Sequence, residues 1–204
     1  MIEPIVQQVE GTKRNQGQKQ ASAINDIKPA TFSPSASRTR KNLQSFADKT
    51  RAVDPAQAEK MEAFFASTDV IRQIGDVMVN FGLSRNNAAD AFALYWIATW
   101  QAAHGDTSTP SKGAVLAVAA QAARGMSQSP EFAAASDAQK QEMAEALMVR
   151  AALIEASVGE AGGDNAQLKA IGKAVKQGAS ASGRELDTRT LTEEGFREGG
   201  PRKR

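Results

Sequence analysis

The sequence predicts an all-α protein, a single-domain bundle of about six to seven helices around a buried central helix, with disordered termini. Alanine, which has the highest helix propensity, supplies much of the 41% apolar fraction. Apolar residues recur three and four positions apart in several segments, and residues typical of helix caps precede those segments. We find no convincing pair of strands.

The polar composition of both ends divides the chain into three parts. Residues 1–34 are rich in Gln, Ser, Lys and Asn and are expected to form a disordered basic leader. Residues 35–198 are expected to form the helical domain with an extended C-terminal segment, and residues 199–204 a basic tail. Three widely spaced apolar residues are expected to pin the extended segment to the body: Leu186, Leu191 and Phe196.

The first three helices are predicted from their caps and their apolar spacing. The first is expected over about residues 35–51. The second opens at Asp54, an aspartate N-cap, followed by Pro55 at the first helical position. The third is expected to have Ser67 or Thr68 as its cap.

The central helix is the most apolar segment of the chain, Ala88 to Ala103. Because it is apolar on nearly all sides, it is expected to be buried, with the other helices packed around it. Ser84 is the predicted N-cap, and the helix is expected to end at His104-Gly105. Its polar interruptions make it unsuitable as a membrane span, so no transmembrane segment is predicted.

Three further helices complete the predicted bundle. They are expected over about residues 111–124, 136–158 and 164–177, with a short turn or helix between the first two. The second of these begins with a capping box, in which Ser136 is the N-cap and Gln139 stands three residues later.

The residue counts exclude several kinds of site. The chain has no cysteine and one histidine, His104, so it has no thiolate nucleophile and no zinc site with several imidazoles. A Glu-x-x-His pair and a glycine-rich phosphate loop are also missing. We therefore expect no metal and no cofactor.

The charge distribution bears on nucleic-acid binding. Residues 1–51 hold nine Lys or Arg and four Asp or Glu, whereas residues 52–183 hold ten and fourteen. The basic excess of the leader is small for its length, and aromatic residues do not alternate with its cations. These observations disfavour nucleic acid as a partner, and nucleic-acid binding through the leader is kept as the weaker alternative.

Polar residues on the central helix form the first candidate site. Asn86, Asp90, Gln101 and His104 fall within about 40° of one line along the helix, and Asn87 lies beside it. One interpretation is a functional stripe that faces a groove. The other, more common for an amphipathic helix, is a solvent-facing edge.

Aromatic residues on the same helix form the second candidate site. Tyr95, Trp96 and Trp100 are suited to line a ligand pocket. Such residues more often pack in the core, with their polar tips at its edge.

Several motifs along the chain occur together in a known family: Thr31-Phe32-Ser33-Pro34, Arg38 to Phe46 with Asn42-Leu43, Arg51-Ala52-Val53-Asp54-Pro55, Gly82 through Trp100, Lys140 through Leu147, and Leu191 through Phe196. The chain is similar over about residues 31–196 to a family of proteobacterial proteins that is a domain of unknown function. Members typically begin with an export signal, which implies a periplasmic or secreted protein. Here Glu3 and Pro4 stand where a basic n-region is expected, so a cytoplasmic location is the alternative.

These observations favour a non-enzymatic helical binding or interaction protein of the bacterial envelope, with an unidentified protein or small ligand as its partner. The alternative is a hydrolase that uses acidic residues around Asp90. That alternative requires Asp90 and His104 to share the wall of one concave pocket.

Overall fold

The computed structural model describes residues 30–181 and 186–199. These residues form eight helices and a two-stranded sheet, which confirms the predicted all-α class. None of the described helices combines the length and the apolarity of a membrane span. The predicted leader and tail lie largely outside the described residues. The helices are α1 (Ala36–Arg51), α2 (Pro55–Ser67), α3 (Val70–Asn80), α4 (Ala88–His104), α5 (Lys112–Ser127), α6 (Pro130–Ala134), α7 (Asp137–Glu160) and α8 (Asn165–Ser180), and the strands are β1 (Arg189–Thr192) and β2 (Gly195–Glu198).

Every helix after α1 begins at a side-chain cap, as the sequence predicts for several of them, although some caps are displaced. Asp54 caps α2 and the Ser136 capping box begins α7, both as predicted. The caps of two other helices lie one to three residues beyond the predicted ones, Asp69 for α3 and Asn87 for α4, whereas Ser111 caps α5 at the start of its predicted range. In each of these caps, a side-chain oxygen accepts a hydrogen bond from a backbone amide in the first turn of the helix. The residues predicted as caps for α3 and α4 do not lie at the cap position.

The central position of α4 is confirmed. Ten of its seventeen residues are buried, most of them alanines, and it packs against α7, α5 and α8. Alanine lets the backbones of neighbouring helices approach closely. Gly105, with φ of 63°, ends the helix in the left-handed conformation that glycine adopts without strain.

Residues 30–32, near the end of the predicted leader, are in contact with the start of α4 and the residues before it. The amide of Phe32 donates to the carbonyl of Asn86 at 3.0 Å, and the amide of Ala88 donates to the carbonyl of Ala30 at 2.9 Å. Ala30 and Phe32 are buried in the main core. Residues 30–34 therefore belong to the folded body.

The C-terminal segment forms a hairpin that the sequence did not predict. Leu191 of β1 lies opposite Phe196 of β2. The buried Phe196 stacks on Trp96, with ring centroids 4.4 Å apart. The side chain of Gln121 in α5 forms two hydrogen bonds with the backbone of Phe196. It accepts from the amide at 2.8 Å and donates to the carbonyl at 2.9 Å. Leu186 and Phe196 are buried, as the predicted pinning of this segment requires.

A buried polar network joins α1 to α7. Gln141 is fully buried, and its amide nitrogen lies within 3.0 Å of the Ser35 carbonyl, the Thr39 hydroxyl and the Glu145 carboxylate. Glu145 is 4% exposed and also accepts from Thr39 and from Asn42, both at 2.6 Å. Because every polar group in this network has a partner, the network fixes the register of the two helices.

Candidate functional site

The first two residues of the predicted polar stripe precede α4 and serve its N-terminus. The side-chain oxygen of Asn87 accepts from the amides of Ala89, at 2.9 Å, and Asp90, at 3.4 Å. The carbonyl of Asn86 accepts from Phe32. Both asparagines therefore stabilise the backbone at the start of α4. Asn87 caps the helix, and Asn86 binds residues 30–34 through its carbonyl.

Asp90 holds the turn that leads into α4. Its Oδ2 accepts from the amide of Ser84 at 2.7 Å. Burial raises the pKa of the Asp90 carboxyl above its usual value, and the hydrogen bond from Ser84 offsets part of that effect. Asp90 lines none of the cavities that adjoin the other residues of the stripe.

Two substitutions at this position separate the hydrogen bond from the charge. Asp90→Ala removes the acceptor for the Ser84 amide and is expected to lower the free energy of unfolding by about 1 kcal/mol. Asp90→Asn keeps an acceptor there and is expected to cost less. Because the folded state favours the protonated carboxyl, wild-type stability should fall relative to Asp90→Asn as the pH rises through the carboxyl range. Urea unfolding at pH 4 and pH 7 checks both results, and equal losses in the two variants would contradict them.

Gln101 and His104 lie at the other end of α4 and adjoin different cavities. Gln101 is buried, and its amide donates to the carbonyl of Ser108, which holds the loop after α4. His104 lines a groove beside α8. Fourteen residues of helix separate Asp90 from His104, which is about 21 Å. The structure therefore does not bring together the carboxylate and the imidazole on which the hydrolase alternative depends.

The two tryptophans of the predicted aromatic site contact the C-terminal hairpin. Trp100 Nε1 donates to the carbonyl of Arg189 at 2.9 Å, and the Arg189 guanidinium lies 5.5 Å from the ring centroid of Trp96. Tyr95 is half-buried against the core, and its carbonyl accepts from the Thr99 hydroxyl at 2.6 Å. The two indoles therefore pack against protein, one of them with its N–H satisfied by the hairpin.

The groove beside His104 lies where α8 crosses the C-terminal end of α4. The two helices touch at Gly172, where a β-carbon would lie 2.9 Å from the carbonyl oxygen of Ala102. Around this contact the helices leave a cavity of about 580 Å³. Glycine is therefore needed at the crossing, and the crossing sets the shape of the groove.

Three lysines of α8 line this groove. Lys169, Lys173 and Lys176 stand four and three residues apart, so they share one face of the helix. Lys176 pairs with Asp187 at 2.7 Å. Within the described residues, no carboxylate lies within ion-pair distance of Lys169 or Lys173. Like charges at this spacing repel each other, and an anion placed between them would relieve that repulsion.

His104 forms the opposite wall of the groove. Its Nδ1 lies 2.8 Å from the carbonyl of Trp100, and because a carbonyl only accepts, Nδ1 carries a hydrogen. Its Nε2 is buried and has no hydrogen-bond partner among the described residues; Asp187 Oδ1 is 4.0 Å away. Buried polar atoms usually have a partner. Two lysines without an acidic partner among the described residues line the same groove as the single histidine, and this combination marks the groove as the candidate site.

Sequence reasoning singled out His104 but not the three lysines. Their spacing is visible in the sequence, yet it is the same spacing that a solvated helix face shows. Only the crossing at Gly172 places these lysines beside His104. The described residues contain no cluster of three or more His, Asp or Glu side chains that is suited to hold a metal ion.

Residues 6–182 match a family described as "Family of unknown function (DUF6683)". The match covers most of the chain, and the chain belongs to this family. It confirms the predicted membership of a domain of unknown function. Neither the curated proteins nor the solved structures yield a match.

Proposed function

We propose that this member of the family is a non-enzymatic binding protein of the bacterial envelope, which holds a small anion in the groove between α4 and α8. One observation carries the proposal. Lys169 and Lys173 line a cavity of about 580 Å³ without any acidic partner among the described residues.

The spacing of the lysines indicates which class of ligand the groove would bind. Lysine ammonium groups bind phosphate and carboxylate oxygens as point charges with three donors each. Residues four apart on a helix have β-carbons about 5–6 Å apart, and the three lysines extend over about 10 Å of helix axis. A ligand with two or more anionic groups matches this spacing, and the cavity lies in the range that accommodates small molecules.

The arrangement supports binding rather than catalysis. General acid–base catalysis requires a second proton-transfer group within hydrogen-bond reach of the reacting atoms. His104 donates from Nδ1 to a backbone carbonyl, and Asp90 lies at the far end of the helix. The groove therefore offers positive charge and donors without an acid–base pair.

The envelope location rests on the family resemblance, since related proteobacterial chains typically carry an export signal. Mass spectrometry of the mature N-terminus, after separation of periplasm from cytoplasm, decides the compartment. Recovery from the cytoplasm alone would contradict the envelope location and leave the anion groove unaffected.

Charge removal in the groove tests the binding function. We expect isothermal titration calorimetry to detect tripolyphosphate binding at low salt, and the double variant Lys169→Gln/Lys173→Gln to weaken it about tenfold. Each lysine–phosphate contact at an exposed site contributes on the order of 0.5–1 kcal/mol. The matched control is Lys41→Gln/Lys112→Gln, which changes the net charge equally on α1 and α5. An equal loss in the control would show nonspecific attraction, and no heat with the wild type would refute the proposal.

A further inference from the structure

We infer that the chain has a second binding site, for an amphiphile with one carboxylate such as a medium-chain fatty acid, in the apolar groove between α2, α3 and α7. The groove has a volume of about 300 Å³. Its walls come from three helices: Met61, Phe64 and Phe65 of α2, Ile74 of α3, and Val149 and Leu153 of α7.

The groove exists because α2 is a peripheral helix. It packs mainly against α1, and its contacts with α3 and α7 are sparse. Its apolar edge therefore faces the other two helices across a gap. Phe64 remains 48% exposed and Leu153 38% exposed at the walls of this gap. Large apolar side chains that flank a concave surface typically mark a binding site.

The polar side chains around the groove indicate which ligand it would bind. Lys60 is the only charged residue that lines it, and no carboxylate among the described residues pairs with Lys60. Two amides, Gln57 and Gln73, supply further donors at the walls. A long apolar surface with one cation and two amide donors complements an alkyl chain that ends in a carboxylate.

A chain-length series tests the inference by calorimetry, below the micelle concentrations. We expect the affinity to rise about fourfold for each methylene from octanoate to dodecanoate, because each buried methylene contributes a constant increment. The methyl ester of decanoic acid should bind about fivefold more weakly than decanoate, and Lys60→Gln should remove that difference. An affinity that does not depend on chain length, or an ester that binds as well as the acid, would overturn the inference.

Groove-filling substitutions locate the site. Ala152→Phe places a ring in the groove and should abolish dodecanoate binding, whereas Ala138→Phe, at an exposed position of the same helix, should not. Phe64→Ser removes a half-exposed wall residue, so it tests the groove even if Ala152→Phe fails to fold. Wild-type binding by Phe64→Ser, or a dimer that Phe64→Ser dissociates without any dodecanoate binding, would overturn the inference. Lys169→Gln/Lys173→Gln should bind dodecanoate normally, which separates this site from the anion groove.

Discussion

Replacing Gln141 with alanine is expected to lower the free energy of unfolding by about 3 kcal/mol. The fully buried side chain accepts from Arg38 Nε at 2.7 Å and from the Ser35 amide at 3.1 Å, and it donates to the carboxylate of Glu145. Its removal leaves a cavity, and it takes a donor away from a buried carboxylate that has no cation within ion-pair distance among the described residues. A buried acceptor that loses its donor raises the free energy of the folded state.

Two further variants separate volume from hydrogen bonding at Gln141. Gln141→Leu fills most of the space but supplies no donor, so it should remain clearly destabilised. Glu142→Ala, next in sequence, breaks only an exposed contact with Lys49 at 4.0 Å and should change stability by less than about 0.5 kcal/mol. Denaturant unfolding measures all three. Wild-type stability in Gln141→Leu would contradict the stabilising role of the network.

The second large effect is expected at Gly172, where α8 crosses α4. A β-carbon there would lie 2.9 Å from the Ala102 oxygen and 3.3 Å from the Ala103 oxygen, and both are backbone atoms of the central helix. Gly172→Ala should gain about 1 kcal/mol of helix propensity, yet the steric cost of moving α8 should leave it destabilised by about 2 kcal/mol. Because the lysines move with α8, the affinity for tripolyphosphate should also fall.

Gly178, on the same helix, provides the matched control. A β-carbon at Gly178 meets no atom within 4 Å among the described residues, so Gly178→Ala should gain stability by about 0.5 kcal/mol and leave anion binding unchanged. Thermal unfolding and calorimetry of the two variants check this contrast. If Gly172→Ala were as stable as Gly178→Ala, the close crossing would not be a constraint on the groove.

Much of the helical architecture was predictable because its signals are local. The Asp54-Pro55 start and the capping box at Ser136 depend only on neighbouring residues, and both are confirmed. The C-terminal hairpin was not predictable in the same way, since each strand has four residues and Phe196 depends on partners 75 and more residues away. A pattern of period two needs longer strands to be recognised.

The candidate site was predictable only in part. His104 stood out as the single histidine at the end of the most apolar helix. The lysines that face it belong to another helix, and their meaning depends on a crossing that Gly172 permits. Other residues of the predicted stripe stabilise local structure: Asn87 caps the helix, Asp90 accepts from the turn before it, and Gln101 donates to the loop after it. A projection of the sequence onto a helix does not show these hydrogen bonds.

The most direct test of the anion groove is a titration of the ¹⁵N-labelled protein with tripolyphosphate, followed by two-dimensional NMR. Saturable amide shifts at residues 102–105 and 165–177, which disappear in Lys169→Gln/Lys173→Gln, are the predicted result. Shifts concentrated in residues 1–34, or the absence of any saturable shift, would contradict the account.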